Sequence, residues 1–339
     1  MSVEPVTIQP DGRYPLSPLI GPALEAHRGV EYSELRARTL LNRCSNKEAP
    51  FYWTINPYRG CEFGCAYCFA RYTHDFLGYE NWLAFERRIF VKRAGPAALQ
   101  RDLARHRLSG RAIAIGTATD PYQPAERHFE VTRSVLAELA KQRGLTLSIT
   151  TKSALVTRDL DLLCELDRRS QLRVQFSITT PDKELARRLE PRAPTPEKRF
   201  AAMEILAQAG IRTALFLMPV VPGITDSPRA LRALVARAQQ AGAAEVHAGV
   251  LHLRRCAQRR FFPWLRDNFP AKLSAYRRAY ARDAYAPKAY RERIAAVVRA
   301  ACRDFGFAGE RVAPKVKEQK EIQLGLPLDS PSPGGRGPG

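Results

Sequence analysis

Cys61, Cys65 and Cys68 lie within Asn56-Pro-Tyr-Arg-Gly-Cys61-Glu-Phe-Gly-Cys65-Ala-Tyr67-Cys68-Phe69, separated by three residues and then by two. Thiolates at that spacing sit on one tight loop and are natural ligands of iron–sulfur clusters. Three of them can hold three irons of a four-iron cluster and leave the fourth iron without a protein ligand. An open metal position is where chemistry happens. The competing chemistry is zinc. Structural zinc takes four ligands, typically from paired C-x2-C units. Here there is one triplet, and His74 is the nearby histidine that could complete a zinc site.

The other cysteines, Cys44, Cys164, Cys256 and Cys302, are scattered. An odd, mostly unpaired set is a poor disulfide framework and fits metal binding in a reducing compartment. Cys164 and Cys302 fall in helical stretches and read as buried small apolar residues. Cys256, after Arg254 and Arg255, is a weaker functional candidate. His247 and His252 are five residues apart in a strand-like stretch. An odd offset on a strand points them to opposite faces, so they are not expected to share a metal.

A strand–helix alternation must position the cysteine loop. Strands are expected at 51–56, 111–117, 145–151, 172–179, 211–218 and 244–251. Helices are expected at 125–143, 159–169, 196–209 and 228–241, three of them stopping at Gly144, Gly210 and Gly242. Six strands spaced by helices imply βα units and a parallel sheet. Right-handed crossovers curl such a series into a partial (βα)6, TIM-like barrel. The active site of such a barrel lies at the C-terminal ends of its strands. The cysteine loop follows the first strand and therefore falls at that end.

This reading divides the chain into an N-terminal extension (1–50), a core barrel (51–254), a helical, basic C-terminal extension (255–318) and a disordered tail (319–339). The tail ends in Pro-Ser-Pro-Gly-Gly-Arg-Gly-Pro-Gly. No apolar run approaches a membrane span, and the start of the chain lacks a signal pattern, so a cytoplasmic protein without membrane contact is expected.

Lysine and arginine number 54 against 34 acidic residues, a formal charge of +20. Such a surface favours polyanions, although arginine-rich composition alone raises the charge of many enzymes. Tyr276, Arg277, Arg278, Tyr280, Arg282, Tyr285, Lys288, Tyr290, Arg291 and Arg293 interleave rings with cations. Rings can stack bases while cations meet phosphates. The alternative is an amphipathic helix that packs its tyrosines on the barrel.

Over residues 51–254 the chain resembles the radical S-adenosylmethionine superfamily, with Tyr67 in the aromatic slot of the cysteine loop. The strand-end motifs are most similar to the branch that holds spore photoproduct lyase: Gly116-Thr-Ala-Thr-Asp120-Pro, Thr151-Lys152-Ser153, Phe176-Ser177-Ile-Thr179, Leu189-Glu190-Pro and Met218-Pro-Val-Val-Pro. The resemblance implies a [4Fe-4S] cluster on Cys61, Cys65 and Cys68. Its open iron would chelate S-adenosylmethionine, which is cleaved to methionine and a 5′-deoxyadenosyl radical. It also implies cofactor contacts from Tyr67, Thr119, Asp120, Lys152 and Ser177, and an electron donor such as flavodoxin or ferredoxin. Glu190 and Arg199 read as a structural ion pair or as solvated helix residues. Where spore photoproduct lyase keeps a hydrogen-donating cysteine, the matching slot here is Thr117. A hydroxyl O–H bond is far stronger than a thiol S–H bond, so repair by that route is not expected.

The expected function is thus a radical enzyme acting on nucleic acid. The alternatives are a nucleic-acid-binding iron–sulfur or zinc protein without radical chemistry, and a radical enzyme acting on a protein or peptide.

Overall fold

The structure is a computed structural model that describes residues 20–27, 29–46, 49–79, 81–106, 108 and 110–307. The expected tail, 319–339, lies outside the described residues, as do the outer parts of both extensions.

The strands in chain order are β1 (Ile20–His27), β2 (Val30–Leu35), β3 (Leu41–Arg43), β4 (Trp53–Ile55), β5 (Tyr58–Arg59), β6 (Arg88–Val91), β7 (Ile113–Ile115), β8 (Thr146–Thr151), β9 (Gln171–Ser177), β10 (Thr213–Val220) and β11 (Glu245–Val250). The main sheet has the order β11-β10-β9-β8-β7-β4-β3. From β4 to β11 every pairing is parallel, and β3 adds one antiparallel strand at the edge. These are the six expected strands in sequence order, forming the partial barrel.

Strands buried on both faces need near-continuous apolar runs. β7 is Ile-Ala-Ile, with all three residues buried, and β9 buries its last four, Val174 to Ser177. The helices between strands carry their own start signals. Thr195 and Ser227 each accept a hydrogen bond from a backbone N–H of the first turn, and a proline follows each. The helices Pro196–Gln208 and Pro228–Gln240 therefore begin where the sequence says they should.

Two local expectations change. The helix expected at 125–143 is broken into Glu126–Phe129 and Val131–Ala140 by Glu130, at φ 47°. The cause is Glu126, fully buried, whose carboxylate accepts from the N–H groups of Thr132 and Arg133 and caps the second helix from within. The stretch before residue 51 also carries more structure than its composition suggests. β1 and β2 form a hairpin, and β2 pairs with β6 in a second sheet of order β1-β2-β6-β5.

Beyond β11 the chain is helical, as expected: Arg255–Asn268, Leu273–Ala279 and Lys288–Asp304. Phe261, Trp264, Tyr276 and Tyr280 from this region share a hydrophobic cluster with Phe63, Ala66 and Tyr67 of the cysteine loop. Trp264 Nε1 donates to Arg188 O at 2.8 Å. The C-terminal helices thus brace the loop. No helix among the described residues is long and apolar enough to cross a membrane.

Candidate functional site

The cysteine loop leaves β4 and turns sharply at Gly60 (φ 88°) and Gly64 (φ 66°). Both turns need glycine. A Cβ at Gly60 would lie 2.9 Å from Arg88 O, and one at Gly64 would lie 2.8 Å from Glu86 Oε2. Backbone and side-chain bonds then tie the loop to its neighbours. Cys61 N donates to Phe85 O, and Ala66 N to Leu189 O, each at 2.9 Å. The Thr119 hydroxyl donates to Gly60 O at 2.5 Å. Arg71 donates to Cys65 O at 2.9 Å and pairs with buried Glu86 at 2.5 Å. A loop held from so many sides presents its thiols in one arrangement.

Cys61, Cys65 and Cys68 all line one cavity of about 1770 Å³ that runs along the inside of the barrel. Burial pushes all three thiols up, Cys65 to about 12. Such thiols stay protonated at neutral pH without a metal, and metal binding would displace their protons. Among the described residues no three His, Cys, Asp or Glu side chains converge on one ion-sized point. The fit to a cluster therefore rests on the donor set and its shared cavity, not on a ready-made single-ion cage. His74 does not serve a zinc tetrad in this geometry. Its Nε2 lies 2.8 Å from Arg88 O, its ring packs against Phe85 and Phe90, and it does not line the cavity.

Facing the thiols, the ends of β7, β8 and β9 bring together Thr119, Asp120, Lys152 and Ser177, and the loop adds Tyr67; all five line the cavity. Lys152 Nζ donates to Ser177 Oγ at 3.0 Å and lies 5.8 Å from the centre of the Tyr67 ring. Ser177 Oγ donates in turn to Met218 O at 3.0 Å. Burial alone would lower Lys152, but the Cys65 sulfur, once ionised, and the Glu190 carboxylate counter it and hold the lysine above its usual value. The ammonium is therefore retained where an anion could meet it.

Thr119 and Asp120 have partners within the frame. Thr119 accepts from Gln123 Nε2 at 2.9 Å besides donating to Gly60 O. Asp120 accepts from the Thr151 hydroxyl and Lys152 N, both at 2.7 Å, and from Tyr122 N at 2.9 Å. Burial raises its carboxyl, and these three bonds oppose the rise. The pair holds the end of β8 and the cysteine loop against β7.

Glu190 and Arg199 form the deepest ion pair of the site, at 2.5 Å with both side chains buried. The Tyr67 hydroxyl donates to the other Glu190 oxygen, and Arg199 Nη1 donates to Ser177 O at 2.8 Å. Burial would raise Glu190, but Arg199, then Lys152, hold it below the usual carboxylate range. Of the two expectations for Glu190 and Arg199, an ion pair or solvated helix residues, the ion pair holds, and it links the aromatic of the cysteine loop to the serine on β9. Asn56 carries a role the sequence did not disclose. Its side chain binds Thr117 Oγ1 at 3.1 Å and Ala118 N at 2.8 Å, fixing the Thr117 slot at the cavity wall. Its place between β4 and the first cysteine was the available signal.

His247 and His252 do not point to opposite faces as expected, because His252 lies past the end of β11, and both line the cavity. They stay apart all the same: His247 faces Glu245 at 2.9 Å, whereas His252 stacks on Tyr285. Cys302 is buried, but Cys164 is only half-buried, so the expectation for Cys164 is corrected: it sits on the rim of the helix Leu160–Arg169. Cys256 Sγ donates to Phe69 O at 3.4 Å, which ties the first C-terminal helix to the cysteine loop. Tyr276 and Tyr280 are buried, their hydroxyls bound to Pro222 O and Leu251 O at 2.6 and 3.2 Å. They pack rather than stack on ligands. The adjoining Arg277, Arg278 and Arg282 are exposed.

Comparison with known proteins gives a consistent picture. The family model of the Radical SAM superfamily matches residues 55–234. An uncharacterized protein of Mycobacterium bovis is 36% identical over 292 residues, 86% of each chain. An uncharacterized protein of Methanocaldococcus jannaschii is 31% identical over 197 residues, 58% of this chain and 70% of its own. Among solved structures, a cysteine-to-serine mutant of spore photoproduct lyase is similar with a TM-score of 0.63 at 18% identity, covering 83% of this chain and 81% of its own. At that identity the likeness is one of fold.

Proposed function

The chain belongs to the radical SAM superfamily, and from that premise we propose that Cys61, Cys65 and Cys68 carry its cluster and that its substrate is a nucleic acid. The chain is a radical SAM enzyme, and its family's cofactors are a [4Fe-4S] cluster and S-adenosylmethionine. The observation that carries the cluster assignment is the single cavity shared by the three thiols and the Lys152–Ser177 pair. Bound together, the cluster and S-adenosylmethionine supply hydrogen-atom abstraction at carbon.

The chain's own residues would bind, orient and shield. Lys152 offers a cation to the carboxylate of the amino-acid part of S-adenosylmethionine, and Ser177, whose proton goes to Met218 O, offers a lone pair to a donor group of the same cofactor. Tyr67, held by Glu190, gives that part an aromatic wall. Thr119 and Asp120 set the distance between the cysteine loop and the ends of β7 and β8. Thr117 places a hydroxyl where no thiol is available, so the product radical must be quenched by a donor other than that side chain. We place the core at 51–254, the helical extension beyond it on the substrate side, and a flavodoxin or ferredoxin as the reductant.

The nucleic-acid reading is supported by the +20 charge and the exposed arginines at 277, 278 and 282. The test supplies the reduced holoenzyme with S-adenosylmethionine and, in turn, DNA, RNA and peptide pools. Release of 5′-deoxyadenosine should rise above the substrate-free level with a nucleic acid. A rise with peptides alone would overturn this substrate class.

A further inference from the structure

The mouth of the cavity carries a row of five rings, each in contact with the next. Phe76 meets Tyr72 edge-on at 5.8 Å, Tyr72 stacks with Phe69 at 6.5 Å, Phe69 lies 6.2 Å from His252, and His252 stacks on Tyr285 at 4.3 Å. Phe69 and Phe76 are 41% and 52% exposed. Singly exposed aromatics are ordinary, but two exposed rings joined through the half-buried Tyr72, His252 and Tyr285 into one contiguous row mark an interaction surface. The middle of the row, Phe69 and His252, lines the cavity itself, and Phe69 follows the last cluster cysteine.

Charge selects the occupant. Arg254 lies over the Tyr72 ring at 5.1 Å and Arg291 over the Tyr285 ring at 5.5 Å. Of the acidic neighbours, Asp75 faces Arg259 at 3.8 Å, and Asp283 lies near His252. Rings flanked by guanidinium groups suit a ligand that is flat, aromatic and anionic. A stretch of unpaired nucleotides has all three properties, with bases for the rings and phosphates for the arginines. Burial, then Arg254, pulls His252 down to about 4, so its ring is neutral and stacks as an uncharged aromatic.

We propose that the row Phe76–Tyr72–Phe69–His252–Tyr285 is a base-stacking track that seats an unpaired segment of nucleic acid and leads one base into the cavity. The inference rests on the nucleic-acid reading above and deepens it. It also relocates the stacking role from Tyr276 and Tyr280, which are buried, to rings at the cavity mouth.

The test titrates a fluorescein-labelled single-stranded oligonucleotide and its blunt duplex against the reconstituted holoenzyme. The single strand should bind more tightly. Phe76→Ala and Tyr285→Ala should each weaken single-strand binding by about five-fold or more, with unchanged thermal melting and cluster absorbance. Phe76→Trp, which keeps a stacking face and guards against misfolding of the Ala variant, should retain binding, and its emission should be quenched on titration. Equal affinity for single strand and duplex, with ring variants that bind like the wild type, overturns the track and leaves the nucleic-acid reading standing. Absence of any nucleic-acid binding by the wild type overturns both. Ring variants that change the oligomeric state but not oligonucleotide affinity overturn the track in favour of a contact between copies of this chain.

Discussion

Lys152 and Ser177 meet across the ends of neighbouring strands, with Lys152 Nζ 3.0 Å from Ser177 Oγ. The contact leaves ammonium protons and a hydroxyl lone pair for a ligand in the cavity. Hydrogen bonds to charged groups are worth about 1.5–3 kcal/mol. Lys152→Met and Ser177→Ala should therefore each weaken S-adenosylmethionine binding by about 10- to 100-fold. Calorimetric titration of the reconstituted variants checks this. Undiminished affinity would mean that the pair only braces the strands.

Arg199 and Glu190 are buried against each other beneath Tyr67. Removing one partner strands the other charge out of water, at a cost of about 3–5 kcal/mol. Arg199→Ala should lose about that much in urea unfolding at neutral pH. Arg199→Leu combined with Glu190→Met should lose less than Arg199→Ala, because no lone charge remains. A double variant as unstable as the single one would show that the pair's worth is not electrostatic.

Lys92 is buried beside Arg59, and its Nζ donates to Asn56 O at 2.7 Å, a neutral partner. Burial, then Arg59, lowers it from 10.5 to about 7. Between those values the unfolded chain holds the proton and the folded chain releases it. Its contribution to stability therefore rises with pH from about 7 towards 10.5, and the full penalty is present below about 7. Lys92→Met should unfold at a higher temperature than the wild type at pH 6, with the difference shrinking as pH rises. Calorimetric scans across that range measure it; a difference independent of pH would contradict the assignment.

Gly64 turns the cysteine loop at positive φ, with a would-be Cβ against Glu86. Gly64→Ala must shift either the loop or the carboxylate that holds Arg71. The strain is of order 1–3 kcal/mol, and the thiols should move with it. Iron and sulfide content after anaerobic reconstitution should fall well below the wild-type level. Full loading would show that the loop tolerates a side chain there.

Much of this site could be read in the sequence, for physical reasons. The cysteine spacing is local, and the strands β8, β10 and β11 each start shortly after a glycine, Gly144, Gly210 and Gly242, that stops the preceding helical pattern. What stayed hidden depends on long-range partners. β2 is a strand because it pairs with β6, more than fifty residues away. Glu130 breaks a good helical pattern because Glu126 turns inward to cap the next segment. The alternating rings and arginines of the C-terminal extension suggested a stacking surface there. Burial decided otherwise for Tyr276 and Tyr280, and only the fold brings Tyr285 beside His252. Asn56 could not be assigned until its side chain was seen on Thr117 and Ala118.

On this reading Cys61, Cys65 and Cys68 hold the cluster that cleaves S-adenosylmethionine. The direct measurement is 5′-deoxyadenosine released under anaerobic conditions by the dithionite-reduced, reconstituted protein, quantified beside variants with each of these cysteines changed to alanine. Product is expected from the wild type and from Cys256→Ala, and none above background from Cys61→Ala, Cys65→Ala or Cys68→Ala. Product from any of those three, or none from an iron-loaded wild type even with nucleic acid present, would contradict it.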